Sequence, residues 1–239
     1  MNEVQDIRAL VFDVFGTVVD WSSGVAREAE AMLAPKGYNL DWVAFAHRWR
    51  AEYQPAMEAV RSGARAFIVL DALHREMLAP VLAEYGVRGL SEAEVTELSH
   101  AWRRLDPWPD VRAGLARLRG KYVIAPMSNA NVALMVAMSK RGGLEWDLIL
   151  GAEIAQAYKP MPAAYLSAPR LLALQSQQVM MVAAHAYDLK SAADAGLSTA
   201  YVHRAQEFGP DAPPKERPAA GRFNVDVDSF TELAETLGA

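Results

Sequence analysis

Six polar residues stand where short apolar blocks of this 239-residue chain come to an end. Asp13 closes the block Ile7–Phe12, and Ser128 and Asn129 follow Tyr122–Ala125. Lys159 lies a little beyond Leu148–Leu150, and His185 and Asp188 follow Val179–Val182. They comprise a carboxylate, a hydroxyl, an amide, an ammonium, an imidazole and a second carboxylate. Nucleophilic and acid–base catalysis draws on these side-chain types. Each apolar block is short and nearly continuous, as expected of strands buried on both faces. Amphipathic stretches of helical length lie between them: Asn131–Arg141, Ala163–Ala173, and Asp188–Ala195, which stops at Gly196. Thr199–Val202 and the pair Phe223–Val227 with Ser229–Leu237 close the chain. Strand alternating with helix predicts a parallel sheet wrapped on both sides. Ligands of such a sheet bind at the carboxyl ends of its strands, near the point where strand order reverses. The six polar residues therefore converge on one crevice.

Residues 22 to about 105 read as helix only. Ser22 or Ser23 can cap the first helix, and Asp41 can cap a second over Trp42–Arg61. A third runs from Phe67 to Glu84, and Ser91 with Glu94 has capping-box spacing for a fourth. The class is α/β, with four helices inserted after the first strand. The segment Arg204–Gly221, with four prolines, reads as a long irregular loop or tether.

Composition excludes several classes. With 52% hydrophobic and 22% charged residues, the chain can bury enough surface to fold, so disorder is excluded. A formal charge of −5 gives no global basic field for phosphate backbones, which disfavours nucleic acid as a partner. Without cysteine there is no disulfide, no thiolate nucleophile and no thiolate metal site. The longest uninterrupted apolar run, Val132–Met138, falls far short of the ~20 residues of a membrane helix. The acidic N-terminus does not read as a signal peptide. A soluble, cytoplasmic protein is expected.

Four segments carry a resemblance. Phe12-Asp13-Val14-Phe15-Gly16-Thr17, Met127-Ser128-Asn129, Tyr158-Lys159-Pro160 and Asp188 resemble the four motifs of the haloacid dehalogenase superfamily. Ser128–Leu134, Ile149–Glu153 and Val182–His185 resemble its type II (S)-2-haloacid dehalogenase branch. The resemblance implies a Rossmann-like core, from 1–20 and 106–239, with a helical cap over 21–105. It also implies a hydrolytic dehalogenase that turns short (S)-2-haloalkanoic acids into 2-hydroxyalkanoic acids. Asp13 would attack C2, release halide and form an aspartyl ester, which water then hydrolyses with overall inversion.

Other roles follow from the same resemblance. Lys159 would keep Asp13 ionised and Thr17 would orient it. Ser128 and the backbone amides around Val14 and Phe15 would hold the substrate carboxylate. Arg50, Asn129 and Tyr187 would take the halide, with Tyr165 near the site. Asp188 would activate the hydrolytic water. Ala183 and His185 stand where well-known members have serine and asparagine, and His185 could position the water or act as the base itself. No cofactor or metal is implied, and family members are commonly homodimers.

Phosphatases of the superfamily carry a second Asp two residues after the nucleophile, where this chain has Phe15. They also use an acidic pair in the fourth motif, where one partner here is Ala184. Without acid or metal, phosphoryl transfer lacks its main charge stabilisation. A Mg²⁺-dependent phosphatase and a catalytically quiet binding protein of the same fold are the alternatives. Taken singly, each residue has a plainer reading: Asp13 as a turn residue, Ser128 and Asn129 as a helix cap, Lys159 as a solvated loop residue. Arg50 could be a surface residue, His185 a core histidine, and Tyr165 and Tyr187 packing groups. His47, His74, His100 and His203 lack metal-ligand spacing, and the tryptophans of the helical region read as packing.

Overall fold

A computed structural model describes residues 6–239; residues 1–5 of the expected core lie outside the described residues. Six parallel strands form one sheet: β1 (Ala9–Phe12), β2 (Val123–Ser128), β3 (Leu150–Gly151), β4 (Val179–Ala183), β5 (Ser198–Val202) and β6 (Val225–Val227). Their order is β3-β2-β1-β4-β5-β6, so the sequence switches sides of the sheet between β1 and β4. Alternation within a strand divides the core in two. Leu10 and Phe12 enter one hydrophobic cluster, and Ala9 and Val11 the other. Every residue of β1 is buried, which accounts for its continuous apolar run. β2 runs on to Ser128, past the expected end at Ala125, because the register continues through Phe12↔Pro126 and β3 pairs at Met127 and Ser128.

Between β1 and β2 lie α1 (Trp21–Leu33), α2 (Trp42–Ala51), α3 (Tyr53–Arg61), α4 (Leu70–Glu84) and α5 (Glu92–Ser99). Five helices thus stand where four were expected. Pro55 breaks the expected Trp42–Arg61 helix, since it has no N–H to give the Ala51 carbonyl and its ring crowds that oxygen. Asp20, not Ser22 or Ser23, caps α1, accepting from the Ser23 amide at 3.0 Å. Asp41 caps α2 and the Ser91–Glu94 capping box begins α5, both as the sequence predicts. α4 begins at Leu70, three residues later than expected, because Phe67 and Ile68 are engaged elsewhere. The Phe67 ring lies 5.3 Å from that of Tyr158, and the Ile68 carbonyl accepts from the Tyr158 hydroxyl at 2.6 Å. Five further helices complete the sheet layer: α6 (Val111–Arg119), α7 (Val132–Gly142), α9 (Pro162–Leu172), α10 (Ala186–Asp194) and α11 (Phe230–Thr236), with a single turn α8 (Ala152–Ala155). Among the described residues no helix is long and apolar enough to cross a membrane.

Candidate active site

Because β1 and β4 are neighbours, the residues that follow them meet at the switch point of the sheet. After β1 the chain turns tightly, and the Val14 carbonyl accepts from the amides of Thr17, Val18 and Val19. Gly16 takes a φ of +86° in this turn, a conformation that favours glycine. The turn brings the Thr17 hydroxyl back to Asp13, where it donates to Oδ2 at 2.7 Å. The same hydroxyl accepts from the Ala184 amide at 2.9 Å, fastening this turn to the end of β4.

Lys159 arrives on the loop before α9. Its amide donates to Oδ1 of Asn129 at 2.8 Å, which ties that loop to the end of β2. The buried ammonium bridges two carboxylates, at 2.8 Å from Asp13 Oδ1 and 2.5 Å from Asp188 Oδ2. Tyr165, on α9, donates to the other Asp188 oxygen at 2.6 Å. Each Asp188 oxygen accepts one of these hydrogen bonds, so its carboxylate holds Lys159 in place.

His185 lies on the other side of Asp13, with Nδ1 3.0 Å from Oδ2. Its Nε2 is 2.7 Å from Oε1 of Glu207, and the second Glu207 oxygen is hydrogen-bonded to the Lys215 ammonium. Lys215 also donates to the Ala184 carbonyl at 2.6 Å. Burial alone would raise the Asp13 carboxyl, but Lys159 and His185 together hold it well below the usual carboxylate range. Burial opposes the charge on Lys159, yet Asp13 and Asp188 keep its ammonium well above the ordinary lysine value. His185 behaves alike: burial opposes protonation, and Asp13 and Glu207 lift the imidazole to about 9. Burial and the neighbouring Asp13 charge raise Asp188, against the pull of Lys159.

These groups open onto a cavity of about 390 Å³ beneath the inserted helices. Asp13, Asn129, Lys159, His185 and Asp188 form its floor, and Phe15, Arg50, Tyr53 and Arg61 contribute to its walls. Phe15 stands edge-on to Trp102 at 5.6 Å and to Tyr53 at 6.5 Å between ring centres. Arg50 places its guanidinium 3.8 Å from the Tyr53 ring centre, and its buried Nη1 has no hydrogen-bond partner among the described residues. The Val14 and Phe15 amides donate to no protein group among the described residues.

The family model of the haloacid dehalogenase-like hydrolases matches residues 7–196. The chain belongs to this family. Among solved structures, this hydrolase is similar to the defluorinating L-2-haloacid dehalogenase Rha0230, at 43% identity and a TM-score of 0.93. That match covers 98% of this chain and 96% of the other. It is also similar to the L-2-haloacid dehalogenase PA0810, at 40% identity and a TM-score of 0.90, covering 97% and 99%. The (S)-2-haloacid dehalogenase 4A of Burkholderia cepacia is 29% identical over 208 residues, which is 84% of this chain and 85% of that protein.

The hydrolase gathers most of the residues expected from sequence. Asp13, Phe15, Arg50, Asn129, Lys159, Tyr165, His185, Tyr187 and Asp188 all line the cavity. Thr17 and Val14 sit behind Asp13, buried and outside the wall. Ser128 is also outside it, and its hydroxyl accepts from the Ala130 amide at 3.1 Å, in a local turn. Tyr187 is 59% exposed and stands at the rim, its ring 5.5 Å from that of His185, rather than in an enclosed halide cradle. The histidines set aside on spacing do not join the site. His74 is buried in the helical layer, stacked on Trp102 at 4.6 Å. Glu207, Lys215 and Tyr53 escape sequence reasoning. The first two lie in the segment read as a loop or tether, which carries no periodic pattern. That segment is anchored rather than free: Arg204 grips the Asp110 carboxylate with both terminal nitrogens and donates to the Thr17 carbonyl at 3.0 Å.

Proposed function

We propose that this hydrolase is a dehalogenase of short (S)-2-haloalkanoic acids that works through an aspartyl ester on Asp13. One observation carries the reading: an ionised Asp13 faces a cavity whose adjoining wall is Phe15, an apolar ring with no proton to give. Halide leaves without protonation, whereas a phosphate-ester leaving group needs an acid. The solved relatives at 43% and 40% identity, both L-2-haloacid dehalogenases by name, support it.

Asp13 Oδ2 already accepts from Thr17 and faces His185, while Oδ1 accepts only from Lys159. Oδ1 therefore has a lone pair free to attack C2. The C2–halogen bond breaks with its electron pair, and Arg50, with one unpartnered buried nitrogen, receives the halide. The free Val14 and Phe15 amides, with Ser128 behind them, bind the substrate carboxylate, and Asn129 adds a donor beside the halide. Water then attacks Cγ of the ester, its proton passes to a base, and the 2-hydroxy acid leaves with inverted configuration. His185 is the base in this scheme, because it lines the cavity with Nδ1 3.0 Å from Asp13 Oδ2, beside the ester carbonyl that water attacks. Helices over 21–105 form a cap that closes the cavity and excludes water from the displacement. A cytoplasmic homodimer completes the reading, with the dimer testable by light scattering.

The test is halide release from (S)-2-chloropropionate and from fluoroacetate in EDTA, beside a phosphate-release assay with Mg²⁺. Halide release that disappears in Asp13→Asn is expected. Phosphate release without halide release would sink the reading in favour of a phosphatase.

A further inference from the structure

Two charged residues of the Arg204–Gly221 segment reach the reacting carboxylate through one imidazole. Glu207 is buried, with Oε1 2.7 Å from His185 Nε2 and its other oxygen held by Lys215. The backbone below is shaped to receive it. A Cβ on Gly16 would lie 2.4 Å from a Glu207 carboxylate oxygen, so only a residue without a side chain lets Glu207 sit there. Charged and titratable groups facing His185 are Asp13 on one nitrogen, Glu207 on the other, and the Tyr187 ring at its edge.

We infer that Glu207, braced by Lys215, positions His185 as the base of the hydrolytic half-reaction, and that esterification of Asp13 releases His185 to act. The inference rests on the dehalogenase reading above. In the resting enzyme His185 carries both protons, donating Nδ1–H to Asp13 and Nε2–H to Glu207. Alkylation of Oδ1 turns Asp13 into a neutral ester, so the imidazolium loses one of its two anionic partners. Its Nδ1 proton then passes to solvent at the Tyr187 rim, while Glu207 keeps the Nε2–H and so fixes the tautomer. The freed Nδ1 takes a proton from water as the water oxygen bonds to Cγ. When the tetrahedral intermediate collapses, the bond from Cγ to Oδ1, now carried by C2, breaks, and the water oxygen takes its place in Asp13. The hydroxyl proton on Cγ is transferred to the departing alkoxide, and the restored Asp13 carboxylate again faces an imidazolium. One proton is released per turnover, and it leaves with ester formation rather than with hydrolysis. A fixed cation at His185 and a base elsewhere would release it during hydrolysis instead.

The experiment mixes excess enzyme rapidly with (S)-2-chloropropionate and follows halide, protons and 2-hydroxypropionate separately over a single turnover. Proton release that tracks halide supports the inference; proton release that tracks the hydroxy acid overturns it. In Glu207→Gln, halide release should keep its first-turnover amplitude while hydrolysis slows by roughly one to two orders of magnitude. A mass-shifted Asp13 peptide should then accumulate, with KM falling alongside kcat. Glu207→Asp should recover part of the rate. Unchanged hydrolysis in Glu207→Gln, or an equal loss in both steps without ester, would overturn the assignment. Lys215→Met should show the same split more weakly, and it serves where Glu207→Gln does not fold. Absence of halide from the unmodified enzyme would overturn the dehalogenase reading itself, and this inference with it.

Discussion

Lys159→Met isolates what holds two buried carboxylates side by side. The ammonium contacts Asp13 Oδ1 at 2.8 Å and Asp188 Oδ2 at 2.5 Å. Methionine keeps most of the stem and removes the charge. At an effective dielectric of about 20, opposite charges ~3 Å apart attract by about 5–6 kcal/mol, before the cost of burying them is subtracted. Removing one partner of such a buried pair typically costs ~3–5 kcal/mol net, because the other charge is stranded. The two carboxylates are not equally exposed to that loss. Asp13 keeps the Thr17 hydroxyl and His185, whereas Asp188 keeps only the Tyr165 hydroxyl. Burial raises both carboxyls, but only Asp188 is left above its ordinary value with Lys159 in place, so it takes up a proton in the variant. A carboxyl whose folded pKa lies above its unfolded one stabilises the fold in acid, and that stability is lost as pH rises through the folded value. Urea unfolding at pH 5, 7 and 8.5 should therefore show a gap to wild type that widens with pH, reaching ~3–5 kcal/mol at the alkaline end. A gap below about 1 kcal/mol throughout, or one widening toward acid, would refute the assignment of Lys159 as the shared counter-charge.

Three shorter predictions test the same chain of contacts. Asp13→Ala should abolish halide release from (S)-2-chloropropionate, read by ion chromatography, because it removes the nucleophilic oxygen itself. Wild-type stability should depend on pH at both ends. The raised His185, lifted to about 9, contributes about 3 kcal/mol that is full below pH ~6.5 and lost as pH climbs through 9. The depressed Asp13 and Glu207 carboxyls contribute above pH ~4.5 and lose their share in acid, so urea unfolding should peak between roughly pH 5 and 6.5. His185→Gln should flatten the alkaline limb. Gly16→Ala places a side chain at a φ of +86° and against the Glu207 carboxylate, and should cost ~1–3 kcal/mol in chemical denaturation.

The sheet was legible because its strands are buried on both faces, so runs such as Ala9–Phe12 and Val179–Ala183 stand out as unbroken apolar blocks. The residues that end those strands were legible for the same reason, since a parallel sheet delivers its strand ends to one edge. Asp13, Lys159 and Asp188 meet there as expected. Helix boundaries were less so. Pro55 could have been read as the break between α2 and α3, but the apolar spacing on either side matches one helix. The cap on α1 went to Asp20 over two serines close by, a choice set by how the chain leaves the turn after β1. Glu207 and Lys215 had no local signal at all. A carboxylate in a proline-bearing loop looks solvated until the fold lays that loop over Gly16.

What these contacts build is a single file of alternating charge. Lys215, Glu207, His185, Asp13, Lys159 and Asp188 follow one another through hydrogen bonds, cation against anion, and Tyr165 ends the row. Such a row is tolerable in a buried site because each charge has an opposite neighbour. Alkylation of Asp13 removes the anion at its centre, and His185 gives up its Nδ1 proton as the ester forms. Lys159 still has Asp188, and the neutral imidazole still has Glu207, so no charge is stranded. As water attacks, His185 becomes a cation again beside Oδ2, where it and the Thr17 hydroxyl stabilise the negative charge that develops. Phe15 and the rings packed around it keep bulk water from screening that charge. Displacement thus frees the base that hydrolysis needs, and hydrolysis returns its proton as the Asp13 carboxylate is restored. The two steps require different protonation states of one imidazole, and the row provides both.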